Sequence, residues 1–223
     1  MKVSDAIWSR TSCRAFTDEP VDPAALRRIV GMAARAPSGG NVQPWRVYVL
    51  GGEALKALVE DVADKARTQP MGAPTEYDIY PSKLKDPYRG WRYKLGEDMY
   101  SLLGIPREDK IGRLRQLGEN FRLFGAPVGL FMFLDRQMGP PQWSDAGMYL
   151  QSVMLLAREE GLHTCAQEAW AMWAEEVRAH TGAPEEEMLF CGMSIGHRDE
   201  DAPVNQLRAD RAALDEFAAF KGI

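Results

Sequence analysis

Apolar residues recur along the chain with two different periods, and these divide it into many helices and a few short strands. Leu26, Ile29, Val30 and Ala33 stand at i, i+3, i+4 and i+7 behind Asp22-Pro23, which supplies an N-cap and a first-turn proline; Pro37 ends the run. Leu55, Leu58, Val59 and Val62 give a second amphipathic helix over 53–67. A short first helix capped by Ser4 is expected to bury Ile7 and Trp8. Further helices are expected over 93–103, 107–117, 144–160 (capped by Ser144, stopped by Gly161), about 171–181, and 213–220. RVYVL (46–50), a short segment near 162–167, and 187–195 read as strands. VGLFMFL (128–134) is nearly all apolar, as expected of a strand covered on both faces. Helices and strands mix without strict βαβ alternation, so the expected fold is α+β, a sheet covered by helices, in one domain over 1–223.

Residues 69–92 break the pattern with four prolines, two glycines, several aromatics and no sustained period. An excursion of this length is functional or mobile more often than not. Tyr77, Tyr80, Tyr88 and Trp91 offer planar faces for an aromatic substrate, with Gly72 and Gly90 as hinges, which makes the excursion a candidate substrate lid. The alternative is that these aromatics fasten a surface loop to the core.

The 223 residues carry a formal charge of −5, with 45% hydrophobic and 26% charged residues, which excludes wholesale disorder. No apolar run approaches the roughly 18 residues of a membrane span, and MKVSDAIWSR lacks a secretory stretch, so the cytoplasm is the expected location. Cys13, Cys165 and Cys191 form neither a disulfide framework nor, with the three histidines, a metal-ligand spacing. The acidic balance argues against nucleic-acid binding. The basic residues are nevertheless mostly arginine, 19 against 8 lysines, and their short clusters suggest local anion sites.

Three segments carry candidate chemistry. In the run from Ser9 to Phe16, an extended backbone would point Arg10, Ser12 and Arg14 to one side around Thr11, a set suited to phosphate and equally to a solvated edge strand. Arg208 and Arg211 form a second basic cluster. In the loop Pro37-Ser38-Gly39-Gly40-Asn41-Val42-Gln43-Pro44-Trp45, the glycines admit close backbone approach and the amide side chains match a heterocycle's edge, or else satisfy their own loop. Around Gln167, Glu168 and Ala169, exposed backbone amides would donate to an electron-rich ring atom. His163 and Cys165 invite a nucleophile reading but lack a partner carboxylate. His180 and His197 lack ligand spacing.

Taken together, these segments resemble the FMN-dependent nitroreductase family, most closely the branch that includes bacterial nitrobenzoate reductases. Arg10, Ser12, Arg14 and Phe16 match its R-x-S-x-R-x-F opening, and Pro37, Ser38, Asn41, Gln43, Pro44 and Trp45 its PS-x-x-N-x-QPW loop. Asn120, Phe121, Phe124, Ala126 and Pro127 precede the central strand as in the family. Gly161, Leu162, Thr164, Gln167 and Ala169, then Gly196, Arg208 and Arg211, complete the match. The resemblance implies a central mixed sheet covered by helices and an intertwined homodimer holding two FMN. It implies phosphate binding by Arg10, Thr11, Ser12, Arg14, Arg208 and Arg211, and ring contacts from Pro37, Ser38, Gly39, Asn41 and Gln43 toward the flavin held mainly by the partner. Asn120 or Arg122 would serve the pyrimidine edge, and amides near Gln167, Glu168 and Ala169 the N5 and O4 side. Ala166 and Ala169 stand where some members have proline and glycine, and arginines where many have lysine.

The implied activity is NAD(P)H-dependent reduction of nitroaromatic or quinone acceptors by alternating hydride transfer. A flavin carries that chemistry, so no catalytic side chain need appear. Alternatives are an iodotyrosine-deiodinase-like or flavin-fragmenting enzyme, in which Glu76 and Tyr80 would contact a zwitterion, a non-enzymatic FMN-binding protein, or an anion binder without flavin.

Overall fold

The computed structural model describes residues 1–223. Four strands, β1 (Trp45–Gly51), β2 (Val128–Asp135), β3 (His163–Gln167) and β4 (Glu187–Gly196), form one sheet in the order β1-β2-β4-β3. Every strand pair is antiparallel; the parallel element is an isolated bridge between Ser12 and Thr164 at the β3 edge. The sheet is thus antiparallel where the resemblance implied a mixed one, and the parallel Ser12–Thr164 bridge lies outside its four strands.

The alternation of side chains along β2 explains why its sequence is apolar throughout. Val128, Leu130, Met132 and Leu134 face one way, with Met193 and Ile195 of β4, against α2 (Pro23–Ala33) and α6 (Pro140–Glu159). Phe131 and Phe133 face the other way against α3 (Gly52–Ala66), Trp170, Trp173 and Val177 of α7 (Ala174–Thr181). Gly192 is required on this second face, because a Cβ there would lie 2.4 Å from Trp170 Cδ1. Asp22 caps α2 by accepting from the Ala24 amide at 2.9 Å.

Three boundaries differ from expectation. The first helix, α1 (Val3–Ser9), is preceded by Lys2 and buries Ala6. Ile7 and Trp8, one and two positions on, turn away from α6 and are 54% and 84% exposed. Helix α6 starts at Pro140, because two consecutive prolines preset its first turn; Ser144 lies inside and donates its hydroxyl to the Pro141 carbonyl at 2.7 Å. The excursion ends at Pro87, and α4 (Tyr88–Leu102) follows it, so Tyr88, Gly90 and Trp91 are helical. Helix α4 buries no residue, which is why no apolar stripe marked its start. Two short elements, α5 (Lys110–Gly118) and α8 (Leu214–Phe217), complete the chain. No helix is long and apolar enough to cross a membrane.

Candidate functional site

The N-terminal segment leaves α1 in extended conformation and runs along β3, held by the Ser12–Thr164 bridge and by the Cys13 amide donating to the Thr164 carbonyl at 3.0 Å. Cys13 turns into the core. Arg10, Ser12 and Arg14 gather on the other side against Cys165. The C-terminal tail returns to the same place. The Arg208 guanidinium donates to the Trp8 carbonyl at 3.3 Å, and Arg10 is lowered below its ordinary range by burial and then by the charge of Arg211. The two basic clusters therefore lie together. None of Arg10, Arg14, Arg208 and Arg211 takes part in an ion pair, and the nearby Asp210 carboxylate is held by Lys94 at 3.0 Å. Thr11 lies in the same extended stretch, partly exposed.

Asn205, which the sequence did not single out, binds the two segments together. Its Oδ1 accepts from the Arg14 amide at 2.8 Å, and its Nδ2 donates to the carbonyls of Ala15 and Asp199, each at 2.8 Å. The residue is 4% exposed, so all of its bonds are made inside the protein.

The loop after α2 forms a short turn over Gly39–Asn41, with Gly40, Asn41 and Gln43 at positive φ (57°, 58° and 52°). Ser38 and Gln43 satisfy the loop itself: the Gln43 amide donates to Ser38 Oγ at 3.0 Å and Gln43 Nε2 to the Asn41 carbonyl at 3.2 Å. The anchor is Asp145 of α6, 6% exposed, which accepts from the Gly39 amide at 3.2 Å. Pro37 precedes this turn, Asn41 stays exposed, and no Cβ-sized obstacle approaches Gly39 or Gly40. No hydrogen bond joins this loop to the arginine cluster of the same chain; its one tether is to α6.

In the third segment the Gln167 side chain and the backbone amides that follow it behave differently. The Gln167 side chain is 3% exposed and fully engaged: Nε2 donates to Asn120 O at 2.7 Å and Oδ1 at 3.3 Å, and Oε1 accepts from Ser194 Oγ at 2.5 Å. Asn120 Nδ2 donates to the Leu117 carbonyl at 3.0 Å, so its amide is occupied within the protein, while Arg122, 69% exposed, sits 3.7 Å from Glu119. Glu168 and Ala169 open a 3-10 turn over Glu168–Trp173, whose first amides have no partner within the turn. Desolvation raises the Glu168 carboxyl above the usual range, with no ion pair to offset it.

The aromatics of the excursion separate into two groups. Tyr77 packs on Trp143 and Phe190, at 5.7 and 5.9 Å between ring centroids, and donates its hydroxyl to the Phe190 carbonyl. Glu76 pairs with Arg136 through two bonds of 2.7 and 2.9 Å. The Ala73 amide donates to the Met172 carbonyl at 2.8 Å, and a Cβ on Gly72 would lie 2.5 Å from that oxygen. Gly72 is thus a close-packing glycine, Gly90 lies within α4, and Tyr77 is half-buried against Trp143 and Phe190. Tyr80, Tyr88 and Trp91 are exposed, Tyr80 beneath the Arg92 guanidinium at 3.9 Å and Tyr88 edge-on to Trp91 at 5.6 Å.

Burial raises the Cys165 thiol, and burial with Arg158, Arg198 and His197 lowers His163 to about 4, so neither forms an activated pair. His180 faces Asp61 at 3.2 Å and His197 faces Glu19 at 3.6 Å. No three potential ligands are grouped to hold a metal ion.

Comparison with known proteins gives the same ordering of segments a family. The model of the Nitroreductase family matches residues 7–197. The nitrobenzene nitroreductase of Ectopseudomonas oleovorans is 37% identical, over 98% of this chain and 96% of its own length. The 4-nitrobenzoate reductase of Pseudomonas putida is also 37% identical, over 97% and 94%. The crystal structure of the FMN and NADPH-dependent nitroreductase NfnB from Sphigopyxis sp. strain HMH superposes with a TM-score of 0.96 at 50% identity, covering 100% of both chains. With its fold, its segments and these relatives in agreement, this chain belongs to the nitroreductase family.

Proposed function

We propose that this protein is an FMN-containing NAD(P)H oxidoreductase that reduces nitroaromatic or quinone acceptors, acting as a homodimer in the cytoplasm. The observation that carries the reading is the arginine cluster: Arg10 and Arg14 lie with Ser12 against Cys165, Arg211 lies close to Arg10, Arg208 reaches the Trp8 carbonyl, and none of the four is ion-paired. That donor set fits a phosphate dianion, for which Arg supplies bidentate, charge-assisted bonds.

Bound there, FMN would supply the redox chemistry, taking a hydride from the nicotinamide and passing it to the acceptor. The chain's own part is to bind and orient. Arg10, Thr11, Ser12, Arg14, Arg208 and Arg211 hold the phosphate end; Arg122 and the segment around Asn120 face the pyrimidine edge; the amides of Glu168 and Ala169 donate toward the ring. Pro37, Ser38, Gly39, Asn41 and Gln43 reach the ring held by the partner subunit, a role supported by their lack of any bond to this chain's own arginine cluster. The exposed apolar side chains of α1 and the tail, Val3, Ile7, Trp8, Leu214, Phe217 and Phe220, give the second copy a surface to cover. The chain forms a single domain, with Tyr80, Tyr88 and Trp91 as the part of the excursion open to an acceptor.

A zwitterion-binding role for the excursion finds less support, since Glu76 is committed to Arg136. The test is the cofactor: protein purified without added flavin should be yellow and release FMN on denaturation, identified by chromatography. Release of FAD, or of no flavin, overturns the assignment.

A further inference from the structure

We propose that Ser194 is a positioning residue for the flavin ring, acting through Gln167 to fix the spacing between the segment around Asn120 and the turn at Glu168–Ala169. The inference rests on the FMN reading above. Its own ground is a buried chain of hydrogen bonds that joins three elements. Ser194 is the one hydroxyl in β4, 0% exposed, on the sheet face otherwise occupied by Phe131, Phe133 and the tryptophans. A buried hydroxyl in apolar surroundings is unfavourable unless bonded, and this one donates to Gln167 Oε1 at 2.5 Å.

The direction of the chain is fixed by chemistry. Gln167 also meets the backbone carbonyl of Asn120, which can only accept, so the nitrogen of the Gln167 amide must face Asn120 and its oxygen must face Ser194. The hydroxyl of Ser194 is therefore the donor, and its loss would leave Gln167 Oε1 buried and unpaired. Gln167 ends β3, so its side chain sets where the following amides of Glu168 and Ala169 begin.

The segment reached at the other end needs such a tether. Within Glu119–Gly125, Leu123 and Phe124 sit consecutively at φ of 54° and 55°, a left-handed conformation that non-glycine residues hold only when their surroundings impose it. Backbone preference alone does not keep Asn120 and Arg122 in place. The bond from Gln167 connects them to β3, and Ser194 orients that bond.

The test uses the purified holoenzyme and its reconstituted apoprotein. Ser194→Ala should weaken binding of oxidised FMN about five-fold, the loss expected for one buried hydrogen bond. It should also change the ratio of affinities for oxidised and reduced FMN by up to about tenfold, a midpoint shift of about 30 mV for a two-electron couple. A merely structural serine would lower thermal stability and weaken both redox forms alike, leaving the potential in place. Gln167→Met severs the same link, so Ser194→Ala added to it should change neither affinity nor potential further. Ser194→Cys, which retains a weaker donor, should fall between wild type and alanine, and carries the test if the alanine variant does not fold. An unmoved potential in the folded variants, or effects that multiply in the double variant, overturns the proposal. Wild-type protein that takes up no FMN overturns the reading beneath it instead.

Discussion

Arg10 and Arg211, near opposite ends of the chain, bring their guanidinium groups close enough that Arg211, after burial, is the main influence lowering Arg10. Like charges held together without a carboxylate cost stability unless an anion joins them. Arg10→Ala or Arg211→Ala should therefore weaken FMN binding roughly ten- to hundred-fold, the loss of one charge-assisted contact of about 1.5 to 3 kcal/mol. Flavin titration of the apoprotein checks this. Unchanged affinity in both variants would remove the phosphate role.

Trp8 is 84% exposed on the single chain, and its carbonyl receives the Arg208 guanidinium of the arginine cluster. If a second copy covers this face, Trp8→Glu should shift the protein toward monomer and loosen its flavin together. Light scattering of the wild type should report about twice the chain mass of 25.0 kDa. A flavin-loaded, active monomer would contradict the shared site.

The excursion divides at Tyr77. Tyr77→Ala removes a ring packed on Trp143 and Phe190 and should cost about 2 to 4 kcal/mol in urea unfolding, without changing preference among acceptors. Tyr80→Ala and Trp91→Ala, both at exposed positions, should cost less than about 0.5 kcal/mol. These two should shift the ratio of kcat/KM between nitroaromatic and small quinone substrates. A ratio that moves with Tyr77 and not with the other two would reverse the division.

His163 is lowered from 6.5 to about 4 by burial and by Arg158, Arg198 and His197. Between these values the unfolded chain binds a proton that the folded chain does not, so stability falls as pH drops from 6.5 toward 4 and is unaffected by this group above that window. Denaturation midpoints at pH 7 and pH 5 should differ by less in His163→Gln than in the wild type. An equal difference would show that other groups carry the acid sensitivity.

How much of this was legible in the sequence depended on whether a residue acts through its own pattern or through a distant partner. Helix α2 was readable because Asp22-Pro23 and the spacing of Leu26, Ile29 and Ala33 are local, and β2 because both of its faces are buried. Helix α4 was not readable at its start, since it buries nothing and carries no stripe. At the site, the arginine and loop segments stood out as residue types, but Asp145, Ser194 and Asn205 did not. Each is an ordinary polar residue within a helix, a strand or a tail turn, whose role appears only when Gly39, Gln167 and Arg14 are brought against it. The segment at Gln167–Ala169 reads as backbone donors from its position alone, while the bonds of the Gln167 side chain to Asn120 and Ser194 depend on distant partners. Ile7 and Trp8 were assigned to the core from hydrophobicity alone, which cannot distinguish a residue buried in its own chain from one left for a partner.

The central claim, that this chain binds FMN to carry electrons from a nicotinamide to a nitroaromatic acceptor, is tested most directly by anaerobic stopped-flow absorbance of the purified protein. Mixing with NADPH or NADH should bleach the visible flavin band, and subsequent mixing with a nitroarene such as 4-nitrobenzoate should restore it. A band that neither nicotinamide bleaches, or that stays bleached when the nitroarene is added, would contradict the account.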